Sequence, residues 1–222
     1  RRHMFRWSPA RIIAGAFGSI SFIGSILLYL PWGHMPGQSI TYVDALYTAV
    51  SALCVTGLSI VDTAAVFNPF GQAILAVLIQ VGGLGVSTMG AGVLLMLGRK
   101  VGIRQRNLIH DTMNLDSYSG VVRFLRTLFA TTVFIEVIGA FLGYFVFRRD
   151  YEMMESIGLS IFHSISSFNN AGLTILTKER SMEMYAEDPF MLILTTALVF
   201  VGGLGFIVIR EGWVNRFRWR KL

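Results

Sequence analysis

The sequence carries a single cysteine, Cys54, which excludes an intrachain disulfide and the stapled secreted scaffolds that depend on one. Charge is also scarce. Asp, Glu, Lys and Arg together make up 14% of the 222 residues while 54% are hydrophobic, against about a quarter charged in an ordinary soluble domain. No nucleophile lies near a paired base, no His, Cys, Asp and Glu spacing suits a metal, and no phosphate loop has a credible context, so the chain is not expected to be an enzyme. Gly82, Gly83, Gly85, Gly90 and Gly92 superficially match a dinucleotide-binding glycine pattern. That motif must open a helix after a soluble strand, with an acidic residue beyond. Within an apolar stretch, small residues are read instead as permitting close helix packing.

What is present is apolar sequence in long runs. Residues 12–30, 73–97, 127–147 and 189–209 are each long enough to cross a hydrocarbon core of about 30 Å, and only the third contains a charge, Glu136. The first run is too long for a signal-peptide core and lacks a small-residue cleavage site, so it is kept as a mature span. Arg1, Arg2 and His3 precede Met4 and read as an addition ahead of a natural start.

The formal net charge of +6 does not point to nucleic acid, because the basic residues are grouped at the ends of the runs. Of 19 Lys and Arg, four lie in residues 1–11, six in 98–126 and five in 210–222. The other four, Arg148, Arg149, Lys178 and Arg180, sit among acidic residues. The positive-inside rule then makes both termini and the 98–126 loop cytoplasmic.

Two apolar segments are left over on the outer side, 41–61 and 154–177. If both crossed, the basic 98–126 loop would face outward, so both are expected to dip in and return. Such non-helical backbone at membrane depth is tolerated only where it is buried in protein or lines an aqueous path. The first is expected as a half-helix over 42–53 that breaks at Val55, Thr56, Gly57 and Leu58. The second is expected over 155–168, breaking at Asn170, Ala171, Gly172 and Leu173.

The two halves repeat. LYTAVSA at 46–52 aligns with IFHSISS at 161–167, and Gly57-Leu58 with Gly172-Leu173, at a displacement of 115 residues. Pro69-Phe70 aligns with Pro189-Phe190, and VGGLG at 81–85 recurs at 201–205, displaced by 120. The expected fold class is therefore an all-α membrane protein of two tandem repeats, each a span, a pore helix with its turn, and a span, as in potassium-channel-like pore loops. Boundaries are placed at 8–98 for the first repeat, 99–118 for a cytoplasmic linker, 119–210 for the second repeat and 211–222 for a basic cytoplasmic tail. Rings of backbone carbonyls can replace the hydration shell of a cation, and glycine reaches the backbone conformations this needs. Each half-helix also ends with its negative pole toward the turn.

The text of the turns resembles the Ktr/Trk/HKT superfamily of potassium transporters over essentially the whole chain. SALCVTGLSIVDT at 51–63, FGQ at 70–72 and QVGGLG at 80–85 are similar to that family's first repeat, SFNNAGL at 167–173 to its second, and SPARII at 8–13 to its first span, with the bacterial Ktr branch the closer likeness. The resemblance implies passive potassium transport across a bacterial plasma membrane, with potassium as substrate and no cofactor. It implies a selectivity filter at Val55, Thr56, Gly57 and Leu58 and at Asn170, Ala171, Gly172 and Leu173. Glycine at 57, where some sodium-transporting plant members have serine, favours potassium. The family carries four repeats and this chain two, so the other two are expected from further chain or from a partner chain. A homodimer is implied too, with the Arg99–Arg106 region, residues 99–106, either lipid-facing or docking a cytosolic ring of nucleotide-binding regulatory subunits. The alternatives are a non-conducting membrane scaffold of the same fold and a sodium-transporting relative.

Four polar residues carry separate expectations. Glu136 is a functional candidate or a group paired inside the bundle. His163 is read as satisfying a hydrogen bond, and Asn169 and Asn170 either line the vestibule or cap and buttress the turn.

Overall fold

The computed structural model describes residues 9–85, 88, 121–176, 182–204 and 208. Among these the architecture is helical, with one isolated bridge between His34 and Phe67 and no strand. The helices are α1 (Pro9–Tyr29), α2 (Tyr42–Leu53), α3 (Thr63–Val66), α4 (Pro69–Leu84), α5 (Val121–Phe147), α6 (Met153–Phe168) and α7 (Pro189–Gly203), with short 3-10 turns at Pro31–Gly33 and Met182–Tyr185.

The starts of these helices follow from local chemistry. Thr41 and Asp44 form a reciprocal capping box at the head of α2, the Asp44 amide donating to Thr41 Oγ1 and the Thr41 amide to Asp44 Oδ2. Asn68 caps α4 by accepting from the Phe70 and Gly71 amides, and Asp188 caps α7 by accepting from Phe190 and Met191. Proline follows Asn68 and Asp188 at the first helical position, where its missing N–H costs nothing. These paired starts keep the 120-residue displacement read from the sequence.

Two three-helix units result, α1, α2 and α4 in one and α5, α6 and α7 in the other, joined by the packing of α4 on α6. Small residues set the close approaches. A Cβ on Gly82 would run into the backbone oxygen of Leu53 at the end of α2, and one on Gly202 into that of Phe168 at the end of α6. Leu78 packs on Gly24 just as Leu198 packs on Gly139. The VGGLG segments therefore act as packing surfaces, Gly82 and Gly202 each against the C-terminus of the short helix in its own unit and Gly83 against Asn169 of the other unit. Buried side chains, among them Phe67, Leu75, Ile79, Phe147, Phe162 and Met191, form one continuous core across both units.

The exterior reverses the pattern of a water-soluble protein. Phe22 and Ile23 on α1, Val77 on α4, Val133, Phe134, Val137 and Phe141 on α5, and Ile193 and Phe200 on α7 are exposed, whereas Ser25, Thr48, Ser51, Ser160, Ser164 and Ser166 are buried. Apolar bands of this extent facing outward suit a hydrocarbon solvent rather than water. Over Leu125–Phe147, α5 is long and apolar enough to cross a membrane.

The helices fit the expected runs with one difference. Gly85, at φ +83, closes α4, so the run 73–97 is not one unbroken helix, and its later part lies outside the described residues apart from Thr88. Residues 99–118 and 211–222, expected as linker and tail, also lie outside the described residues.

Candidate functional site

The short helices lead straight into the candidate site. α2 has 12 residues and is about 18 Å long at about 1.5 Å per residue, roughly half the span of a bilayer core. It begins and ends at the expected residues, while α6 begins two residues before the expected 155.

Beyond Leu53 the chain leaves the helix in a tight, hydrogen-bonded turn. The Val55 amide donates to Ala52 O at 3.3 Å and the Thr56 amide to Ser51 O at 3.1 Å. Val55 then sits at φ +56 and Gly57 at φ +74. The second turn repeats this atom for atom. The Asn170 amide donates to Ser167 O at 3.1 Å and the Ala171 amide to Ser166 O at 2.8 Å, with Asn170 at φ +58 and Gly172 at φ +68. Asparagine tolerates the left-handed region, but a β-branched valine there is a genuine outlier that its surroundings must hold.

A serine from each short helix reaches across its turn. Ser51 Oγ donates to Leu58 O at 2.5 Å, and Ser166 Oγ donates to Leu173 O at 2.6 Å. The Leu58 and Leu173 carbonyls are thereby tied back to the helix. Among the described residues, the carbonyls of Val55, Thr56, Gly57, Asn170, Ala171 and Gly172 accept no hydrogen bond, so these oxygens remain available to another partner.

The turns are also brought together. A Cβ built on Gly57 would lie 2.8 Å from Ala171 O and 3.6 Å from the Gly172 Cα, so the two glycines face each other with nothing between. Farther out, Thr63 Oγ1 donates to Thr174 O, tying the strand-like exit of one turn to that of the other. All eight residues read from the sequence as a filter thus fall on two adjacent turns. Their environments differ: Thr56 and Leu58 are exposed while Ala171 and Leu173 are buried.

Beside the second turn a cavity of about 560 Å³ is lined by His163, Ser166, Ser167, Asn170, Glu183 and Thr195, among others. His163 Nε2 lies 3.0 Å from Thr195 Oγ1 and 3.3 Å from Ser167 Oγ, as expected of a histidine that satisfies hydrogen bonds. Asn169 and Asn170 divide the roles considered for them. Asn169 is buried and caps α6, while Asn170 is exposed at the cavity. With its amide turned to suit its neighbours, Asn170 donates to Val199 O and accepts from the Gly203 amide, each at 3.3 Å.

Glu136 is buried in the middle of α5 and has a partner. Asn169 Nδ2 donates to Glu136 Oε1 at 3.2 Å, to Gln80 Oε1 at 3.1 Å and to Ile165 O at 2.9 Å. Ser164 Oγ donates to the Glu136 backbone oxygen at 2.7 Å. No signal in the sequence links Gln80 with Asn169, which are 89 residues apart. The serine ties are different: the 115-residue repeat pairs Ser51 with Ser166 and Leu58 with Leu173, so they were there to be found.

Among the described residues no group of three or more His, Cys, Asp or Glu is arranged to hold a metal ion.

Comparison with known proteins places this geometry in context. The Ktr system potassium uptake protein B of Bacillus subtilis (strain 168) is 35% identical over 211 residues, which is 95% of this chain and 46% of that protein. The potassium/sodium uptake protein NtpJ of Enterococcus hirae is 36% identical over 206 residues, 93% of this chain and 45% of that protein. The Ktr system potassium uptake protein B of Vibrio alginolyticus is 36% identical over 224 residues, covering 100% of this chain and 47% of that protein. The chain spans about half the length of the curated relatives it matches. Residues 9–216 match TrkH, the cation transport protein family, and a match that takes in both units and both turns means that this chain belongs to the TrkH family of cation transport proteins.

Proposed function

We propose that this chain supplies two pore-loop units to a passive potassium pathway across a bacterial plasma membrane. In this reading Val55, Thr56, Gly57, Leu58, Asn170, Ala171, Gly172 and Leu173 are its share of the selectivity filter. The observation that carries it is the pair of matching turns at Gly57 and Gly172, set against each other with unpaired main-chain oxygens beside them. Such oxygens suit a dehydrated cation, and the carbonyl ends of α2 and α6 add negative potential. The names of the relatives, potassium uptake proteins, support the same substrate.

Four membrane crossings with the two short helices entering from the outside keep the basic segments 1–11, 98–126 and 210–222 on the cytoplasmic side. A closed pathway needs more turns than two, so the remaining units come from further chain or a partner, and association as a dimer on a cytosolic ring follows the Ktr likeness. Sodium is the second reading, favoured by the name of NtpJ, a potassium/sodium uptake protein. Gly57, rather than serine, weighs for potassium.

The test is Gly57→Asp in the complete transporter, expressed in a bacterium that lacks its own potassium uptake. Potassium uptake is expected to disappear while the protein still reaches the membrane. Normal uptake by that variant removes the filter assignment, and a pathway equally open to sodium in the unaltered protein selects the second reading. A scaffold would lose nothing on substitution of either glycine.

A further inference from the structure

Glu136 is a buried carboxylate that the proposed pathway does not use, and its surroundings give it a different task. It stands on α5, Gln80 stands on α4 in the other unit, and the Asn169 amide meets both while also donating to Ile165 O within its own helix. Two amide hydrogens serve three acceptors within 3.2 Å, so at least one is shared and the amide is held from three sides. Its other face is held as well, since a Cβ on Gly83 would collide with Asn169 Oδ1. Asn169 is the last residue before the chain turns into the left-handed conformation of Asn170. Any rotation of this side chain therefore acts at the hinge of the second turn.

The first unit has nothing comparable. The repeat displacements place Ser21 opposite Glu136, Ala49 opposite Ser164, Cys54 opposite Asn169 and Phe200 opposite Gln80. Leu78 on Gly24 and Leu198 on Gly139 support that alignment in the structure. Core filling alone does not account for a polar junction built on one side of a repeat. A carboxylate inside an apolar bundle is costly unless it does something its apolar equivalent cannot. Here it fixes the end of one short helix to the closing helix of the neighbouring unit.

We infer that Glu136, Asn169 and Gln80 form a positioning device that sets the second turn against the first and so sharpens discrimination between potassium and sodium. Glu136 acts through Asn169 and not on the ion. The inference rests on the filter reading above.

The experiment measures rubidium uptake, as a tracer for potassium, and its inhibition by sodium in the full-length transporter. Glu136→Ala and Gln80→Leu are each expected to raise inhibition by sodium at least fivefold. Glu136→Gln, which still presents an oxygen to the Asn169 amide, is expected to stay within twofold of the unaltered protein. Reduced membrane abundance of Glu136→Ala with an unaltered ratio would mean a merely structural role and overturn the inference. So would a Glu136→Gln variant as unselective as Glu136→Ala, since charge rather than placement would then be at work. If Glu136→Ala fails to accumulate, Gln80→Leu decides on the same criterion. Gly57→Asp in the same assay separates the two levels. Retained uptake there removes the filter itself, whereas abolished uptake with an unaltered sodium ratio in Gln80→Leu removes only the positioning device.

Discussion

Adding one methyl group to either turn glycine puts a number on how the two turns depend on each other. Gly57 and Gly172 both lie in the left-handed region, at φ +74 and φ +68, so alanine at either position incurs about 1–2 kcal/mol of backbone strain. That common penalty is not enough to distinguish them. The space around them does: at Gly172 the new Cβ finds its nearest neighbour, the Gly57 Cα, at 3.6 Å, an ordinary contact. At Gly57 the nearest neighbour is Ala171 O at 2.8 Å, a backbone atom that no rotamer change can move. Restoring a normal carbon to oxygen distance requires the turns to separate by roughly 0.5 Å, in a region where about 1 Å of misplacement can cost a hundredfold in function. Gly57→Ala is therefore expected to lose about ten times more potassium uptake than Gly172→Ala, with both normalised to protein in the membrane. The measurement is initial rubidium uptake in a strain without its own potassium transporters. A Gly172→Ala variant as impaired as Gly57→Ala, or more so, would refute the reasoning, because the strain would then dominate and the mutual packing of the turns would be irrelevant.

Three further outcomes follow from the structure. Gly202→Ala drives a Cβ into Phe168 O whereas Gly203→Ala meets only the side-chain amide of Asn170 at 3.7 Å, so thermal unfolding of the purified protein should show about 1–3 kcal/mol of destabilisation for the first and little for the second. Ser166→Ala leaves the Leu173 carbonyl without its donor in a site that is 5% exposed, while Leu58, opposite Ser51, is 58% exposed and water can replace the bond. Ser166→Ala is therefore expected to cost about 1–3 kcal/mol and Ser51→Ala about 1 kcal/mol or less, read from the same unfolding curves. Asp188 is held below its ordinary value of 3.8 chiefly by the Met191 amide, with the Phe190 amide and Arg149 adding to it. Its capping contribution is complete above that ordinary value and is lost as pH falls through the lower folded value, so the melting temperature should drop on acidification below the ordinary value, and Asp188→Asn should flatten that part of the profile.

Much of the architecture was legible because it is written twice. The displaced motifs located both turns, the half-helix 42–53 came out as α2, and Gly82 and Gly83 were read as packing surfaces, while Gly85 instead ends α4. The left-handed Val55 was not legible: valine disfavours that conformation, and only its equivalence to Asn170 hints at it. The junction of Gln80, Asn169 and Glu136 was hidden for a different reason. It joins three helices and breaks the repeat, so neither periodicity nor self-comparison exposes it. Glu136 announced itself as costly, but its partners are set by tertiary packing alone.

The contact between Gly57 and Ala171 O has a genetic consequence. Each turn is the other's wall, so injury at one is repaired most readily by giving way at its neighbour, more than a hundred residues along the chain. Revertants selected from a sick Gly57 allele should cluster around Ala171 and Gly172. A map of such revertants would trace the line where the two halves meet.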